Sequence, residues 1–276
     1  MAVSHKIMEH LEKSVIVAAH PDDENLWFSS ILSKVDKVIL CFLPVVSNPT
    51  WTEGRRNSLS AYPLDNISCL GLAESEVFEG VDWGRPVKTK YGLRITENQL
   101  SDKVYRKNFD SLKSKLREHL KGYCNVFTHN PWGEYGHVEH VQVYRAVKAL
   151  QKEMQFNLWF SNYASNKSAN LMVSEFSEIV RDSMTLPTDK SLAKEIASTY
   201  KLKECWTWYD DYEWCDSETF INNTDTPPER WKYGTLVPIN LIIVEEQPVQ
   251  QSHLEMFTSR AKGKLRKLIL KIQGLL

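Results

Sequence analysis

Residues 19–24 read AHPDDE and residues 133–140 read GEYGHVEH. Both segments crowd imidazoles and carboxylates into a few positions. His20 with Asp22 and Asp23 offers one nitrogen and several oxygens, a donor set that suits Zn²⁺. A bound cation would also offset the cost of packing acids together. Asp22 and Asp23 are adjacent, so their side chains diverge and two carboxylates can take two different roles. A catalytic zinc takes about three protein ligands and keeps one position for water. His20 and one Asp supply two. His137 and His140, three residues apart, share a helix face. One of them can be the third ligand while the other stays free beside the substrate. Glu139, between them, suits the orienting of an imidazole. Taken singly, each feature has an ordinary alternative, and DDE ahead of a helix also fits capping and dipole chemistry. Yet His20, His129, His137 and His140, half of the chain's eight histidines, fall in or beside these two segments.

The elements that must position these residues follow from periodicity. SVIVAA (14–19) reads as a short, continuous, β-branched strand buried on both faces. His20 therefore sits at a strand's carboxyl end, with Pro21 stiffening the turn. A helix is expected from about Glu24 to Lys34 and a second strand over 37–46. Residues 55–72 read as mostly helical, interrupted at Pro63. A third strand is expected over 75–81 and a helix over 97–121. A strand over 124–129 then leads through the glycine-punctuated loop into an amphipathic helix over 136–152. Strands over 156–164 and 170–175, a helix over 191–203, a Trp-rich irregular stretch (206–238), a strand over 239–246 and a terminal helix complete the reading. Strands alternating with helices predict an α/β fold with a largely parallel sheet. In such sheets ligands bind beyond the carboxyl ends of the strands, where both segments lie.

The chain has 276 residues, 42% apolar and 25% charged, with a formal net charge of −1. That balance does not suggest a nucleic-acid partner. No apolar run reaches the roughly 20 residues that span a bilayer. The first residues lack the apolar core of a secretory signal, so a cytoplasmic location is expected. No two of the five cysteines are spaced C-x-x-C, which argues against a zinc ribbon or a redox pair. The first strand runs into HPDDE rather than G-x-G-x-x-G, a poor fit to dinucleotide binding.

AHPDDE followed more than 100 residues later by GEYGHVEH resembles the PIG-L/LmbE-like N-acetylglucosaminyl deacetylase family. The resemblance covers roughly residues 14–175. It implies a Rossmann-like fold and a zinc-dependent hydrolase that removes acetyl groups from amino sugars or related amides. It also implies His20, Asp23 and His140 as zinc ligands and Asp22 as the general base. His137 would polarise the acetamide or, protonated, stabilise the oxyanion, and Tyr135 would assist from a mobile loop. Glu139 holds the place of an Asp that modulates the neighbouring histidine. Val138 and Glu139 depart from the usual Pro and Asp. NLWFSS (25–30) departs from a Gly-rich helix start and puts Trp27 near the pocket. Arg55 and Arg56 stand where an Arg-x-x-Glu motif often follows the second strand, here without the matching Glu. Of these residues, Arg56 and Trp27 are assigned to substrate binding.

A single domain over 1–276 is expected, with a motif-bearing core at about 14–175 and an accessory region at about 176–276, an irregular Trp-rich C-terminal lobe. There, Trp206, Trp208, Trp214 and Trp231 gather with Tyr209, Tyr212 and Tyr233, either to stack on sugars or to pack the lobe. Residues 254–276 are basic and amphipathic, suited either to an anionic membrane surface or to docking on the core. The leading expectation is zinc-dependent de-N-acetylation of an amino sugar, free, nucleotide-linked or lipid-linked, during glycan or glycolipid synthesis. The competing readings are an amidase for a non-sugar or thiol-conjugate amide and a non-catalytic sugar-binding module.

Overall fold

A computed structural model describes residues 10–78, 80–96, 99–176, 182–223 and 236–244. Along the chain run β1 (Ser14–Ala18), α1 (Asp23–Trp27), β2 (Lys37–Phe42), α2 (Pro49–Ser60), β3 (Ile67–Leu72), β4 (Lys88–Thr89) and β5 (Gly92–Leu93). Then come α3 (Gln99–His119), β6 (Asn125–Thr128), α4 (Val138–Met154), β7 (Asn157–Ser161), β8 (Tyr163–Ser165) and α5 (Ala169–Phe176). The last elements are β9 (Ser183–Pro187), α6 (Lys190–Leu202), β10 (Ser217–Asn222) and β11 (Asn240–Ile242).

The central sheet has seven strands in the order β3-β2-β1-β6-β7-β10-β9. The first five are parallel, and β10 pairs antiparallel with both β7 and β9. Helices flank it, so the fold is the expected α/β class with a mostly parallel sheet. β1 lies inside the sheet between β2 and β6, and all five of its residues are buried. The chain leaves β1 toward β2 on one side, whereas β6 leads through α4 to β7 on the other. The connections therefore diverge at the carboxyl ends of β1 and β6. This switch point opens the crevice in which α/β proteins bind ligands.

Several expected elements differ. The helix expected over 24–34 stops at Trp27. Beyond it the Ser30 N–H donates to the buried Glu218 carboxylate at 2.8 Å instead of to a helix carbonyl. The helix expected over 55–72 begins earlier, at Pro49, with Asn48 capping the Trp51 N–H, and ends at Ser60, before Pro63. Ile67–Leu72 then forms the edge strand β3, only partly buried and without a clear alternation to betray it. The strand expected over 75–81 is absent because β3 has taken its place beside β2. Residues 170–175 lie in α5, not in a strand. β9 and β10, in the stretch expected as accessory, extend the central sheet itself.

Trp206, Trp208 and Trp214 are buried and pack on one another and on Tyr212. Trp231, Tyr233 and the basic stretch 254–276 lie outside the described residues. By compactness the chain divides into Met1–Ile242 and Ile243–Leu276, and all but two residues of the second unit lie outside the described residues. No helix among the described residues is long and apolar enough to cross a membrane.

Candidate metal centre and active site

The β1 end delivers His20, Asp22 and Asp23 into the crevice, all nearly fully buried. Asp22 sits at φ 100, a sparsely populated backbone conformation for a residue with a side chain. It precedes α1, yet its side chain makes no capping hydrogen bond. Its Oδ2 instead accepts from the Thr207 N–H at 3.0 Å and the Thr207 hydroxyl at 2.6 Å. The turn is braced from behind by Glu24. That carboxylate accepts from the Asp22 N–H at 3.0 Å and from the Tyr62 and Tyr200 hydroxyls at 3.1 and 2.7 Å.

Asp23 points the other way. Its Oδ2 accepts from the His20 N–H at 2.8 Å and from His20 Nδ1 at 3.0 Å, and it lies 3.1 Å from His140 Nε2. Its Oδ1 accepts from the Trp27 indole N–H at 3.1 Å.

The β6 end brings the second half. His137 caps α4: its Nδ1 accepts from the Glu139 N–H at 3.2 Å. His140 lies one turn in, with its Nδ1 against Glu134 Oε2 at 2.9 Å. Glu134 also holds His129 Nδ1 at 3.0 Å, and its Oε1 accepts from the Asn130 N–H and the Ser161 hydroxyl. His129 Nε2 in turn accepts from the Ala19 N–H at 2.8 Å, tying the ends of β6 and β1 together. Glu139 bonds His20 Nε2 at 2.9 Å and accepts from the N–H and hydroxyl of Ser75.

The loop between β6 and α4 turns on Gly133, at φ +71, where a Cβ would lie 2.4 Å from the His137 carbonyl oxygen. Gly133→Ala is expected to cost at least the roughly 1–3 kcal/mol of a strained left-handed residue. Urea unfolding of the two proteins measures this, and equal midpoints would refute it.

Charge separates the two aspartates. Burial, reinforced by Asp23, pushes the Asp22 carboxyl up to about 7, against the opposing pull of Thr207 and Arg55. Asp23 is buried too, but the neighbouring His140 and His20 rings hold it well below the usual carboxylate range. Burial disfavours a charged His20, yet Glu74, Asp23 and Glu139 outweigh it and raise the ring to about 10. Burial and the charges of His140 and His20 push His137 well down. That direction favours a neutral His137, and because Nδ1 accepts a hydrogen bond, the neutral ring carries its proton on Nε2.

These donors fit a metal ion. Buried His140 Nε2 has no hydrogen-bond partner among the described residues, although Asp23 Oδ2 is 3.1 Å away. An imidazole nitrogen and a carboxylate oxygen buried this close together share a positive charge, either a proton or a metal ion. Burial disfavours a charged His140, yet Asp23 and Glu134 raise the ring. Each histidine of the pair has its far nitrogen on a carboxylate, His20 on Glu139 and His140 on Glu134. This is the arrangement that orients imidazole ligands. Among the described residues three overlapping groups have donor atoms within 4.8 Å of one another: His20–His137–His140, Asp23–His129–His140 and His20–Glu74–Glu139. His129 Nε2 is taken by a backbone N–H, and Glu74 is paired with Arg55. His20 Nδ1 and His140 Nε2 converge on Asp23 Oδ2 at 3.0 and 3.1 Å, and a metal held there would displace the proton that His20 Nδ1 gives to Asp23.

Residues 15–151 match the family model described as PIG-L: GlcNAc-PI de-N-acetylase. The chain belongs to the PIG-L family. None of the curated proteins matches it. Among solved structures it is similar to the zinc-inhibited form of teicoplanin deacetylase Orf2, at 12% identity and a TM-score of 0.48, covering 77% of this chain and 99% of that one. It is also similar to the A40926 pseudoaglycone deacetylase Dbv21, at 13% identity and a TM-score of 0.43, covering 75% and 95%.

The segment 15–151 supplies every candidate metal donor named so far, and it also holds the two residues assigned to substrate binding, Arg56 and Trp27. Arg56 is exposed and pairs with Glu53 on the same helix. Its neighbour Arg55 is the buried one, bonded to Glu74 and to the Leu43 carbonyl, so Glu74 is the acidic partner that Arg-x-x-Glu spacing did not reveal. Trp27 is fully buried, and its N–H is engaged by Asp23. Glu139 reaches His20, 119 residues away, rather than its neighbour His137. Tyr135 lines the crevice between Trp208 (4.7 Å between ring centroids), Trp27 and His137.

Sequence reasoning missed Glu134 and Thr207. Glu134 had a faint signal, an acid inside a glycine-flanked turn between histidines. Two imidazoles pull its pKa down to about 2 against the opposing effect of burial, so it is a carboxylate at neutral pH. Glu134→Gln keeps the shape and removes the charge. Zinc affinity of this variant, titrated calorimetrically, is expected to fall about 10–100-fold, and an unchanged affinity would remove Glu134 from the centre.

Proposed function

We propose that this PIG-L protein is a zinc-dependent hydrolase that removes the acetyl group from an N-acetylated amino sugar. One observation carries the reading: two consecutive buried carboxylates face opposite ways, Asp23 with Oδ2 at 3.0 and 3.1 Å from His20 Nδ1 and His140 Nε2, Asp22 with Oδ2 on Thr207. Burial raises Asp22, whereas the two imidazoles lower Asp23. Neighbouring groups whose environments drive their pKa values apart mark a division between binding charge and moving protons.

His20, Asp23 and His140 would hold the ion. When bound, zinc supplies Lewis-acid polarisation of the acetamide carbonyl and makes water more acidic. Asp22, poised near neutrality, takes a proton from water as its oxygen attacks the carbonyl carbon. Thr207 fixes Asp22 Oδ2, which leaves Oδ1 as the working oxygen. His137, neutral with its proton on Nε2, donates to the carbonyl oxygen as negative charge develops there. The C–N bond then breaks, and Asp22 returns its proton to the departing nitrogen, because an amide anion is too poor a leaving group. Acetate and a free amine result.

The test is acetate release from free, nucleotide-linked and lipid-linked N-acetyl sugars, run beside non-sugar amides. Release from an N-acetyl sugar is expected. Release from non-sugar amides alone would reassign the substrate class, and sugar binding without release would make the chain a binding module.

A further inference from the structure

We infer that Trp27 is a positioning residue that keeps one Asp23 oxygen away from the metal, so that Asp23 binds the ion through Oδ2 alone. The inference rests on the metal-centre reading above.

The two Asp23 oxygens have unlike surroundings. Oδ2 faces His20 Nδ1 at 3.0 Å and His140 Nε2 at 3.1 Å, the side on which the donors converge. Oδ1 accepts from Trp27 Nε1 at 3.1 Å, within α1. An indole N–H has one proton to donate and cannot accept, so this contact holds Oδ1 as an acceptor facing away from the imidazoles. For Asp23 to grip an ion with both oxygens, its carboxylate would have to rotate and orphan a fully buried N–H, which costs about 1–3 kcal/mol.

The indole cannot follow such a rotation. Its ring stacks on Tyr135 at 5.7 Å, and it meets Tyr163 and Trp208 edge-on at 5.1 and 5.3 Å. Trp27 has no exposed surface. Tyr163 is itself fixed by its hydroxyl on Glu218 at 3.0 Å, and Trp208 follows Thr207, which is bonded to Asp22. The aromatic wall therefore sets the carboxylate's orientation. A one-oxygen Asp with two imidazoles makes three ligands. That leaves a tetrahedral site with one position for water, the pattern of catalytic zinc centres. A two-oxygen Asp would fill that position or force a higher coordination number.

The probe is Co²⁺ added to the metal-stripped full chain, followed by visible absorption and by calorimetry. Wild type is expected to bind one Co²⁺ with the intense visible band of a four-coordinate ion. In Trp27→Phe, which keeps the ring and loses the N–H, the band should weaken as Asp23 turns to grip with both oxygens, and affinity should drop about 10–100-fold. Trp206→Phe trims buried aromatic packing away from Trp27 and keeps the Trp27 N–H, so it should leave the spectrum and affinity as in wild type. An unchanged spectrum and affinity in folded Trp27→Phe would overturn the inference, as would the same loss in Trp206→Phe. Should Trp27→Phe not fold, the wild-type spectrum still decides: a weak six-coordinate band overturns it. Failure of wild type to bind Co²⁺ or Zn²⁺ at all would instead sink the metal-centre reading.

Discussion

Asp22→Asn is expected to retain its zinc and lose turnover by about 10²–10⁴-fold, or roughly 3–5 kcal/mol of barrier. The amide matches the carboxylate in shape, and its oxygen can still accept from the Thr207 N–H and hydroxyl that now hold Oδ2. It cannot take a proton from water. Asp22 lies outside the set converging on Asp23 Oδ2, so metal content by elemental analysis should match wild type. The loss should fall on kcat, because the group acts on the proton in flight rather than on the sugar. Turnover within tenfold of wild type would take the base role from Asp22. Parallel loss of metal would instead make Asp22 a part of the metal's support.

His140→Ala is expected to come off the column with little zinc. The variant removes the one buried imidazole nitrogen without a hydrogen-bond partner among the described residues, leaving His20 and Asp23 as two ligands. Its affinity loss should exceed the roughly 10–100-fold that follows removal of an outer partner. Glu134 keeps the His129 ring, the Asn130 N–H and the Ser161 hydroxyl as hydrogen-bond donors, so the fold should survive. The readout is thermal. A ligand that binds only the folded state stabilises by mass action, about 2.7 kcal/mol at a hundredfold excess over Kd. Chelator should therefore lower the wild-type midpoint and leave that of His140→Ala unmoved. A variant that keeps stoichiometric zinc would remove His140 from the ligand set.

How much of this was legible in the chain follows from the range of each signal. β1 and β6 were read nearly to their ends because continuous β-branched or apolar runs mark a strand buried on both faces. α4 was read because its apolar face repeats over four turns. His20, His137 and His140 stood out because each lies at the boundary of a clear element, in a segment dense with rare residue types, whereas the choice of His20, Asp23 and His140 as ligands came from the family resemblance. α1 was expected to be longer and β3 was expected as helix, because there local propensity yields to distant partners. Ser30 gives its N–H to Glu218, 188 residues away, and β3 exists through its pairing with β2.

The sequence alone determined that two clusters of histidines and carboxylates stand at strand ends of an α/β sheet, since strand, turn and helix starts are written in contiguous residues. Only the tertiary structure decided what each residue in them contacts. Thr207 reaches Asp22 across 185 positions, and Glu139 chooses His20 over its neighbour His137. Arg55 rather than Arg56 turns inward to Glu74, and Trp27 faces a carboxylate instead of a sugar. The physical reason is that a buried charge takes its pKa and orientation from whatever polar groups surround it, and those come from segments far apart in the chain.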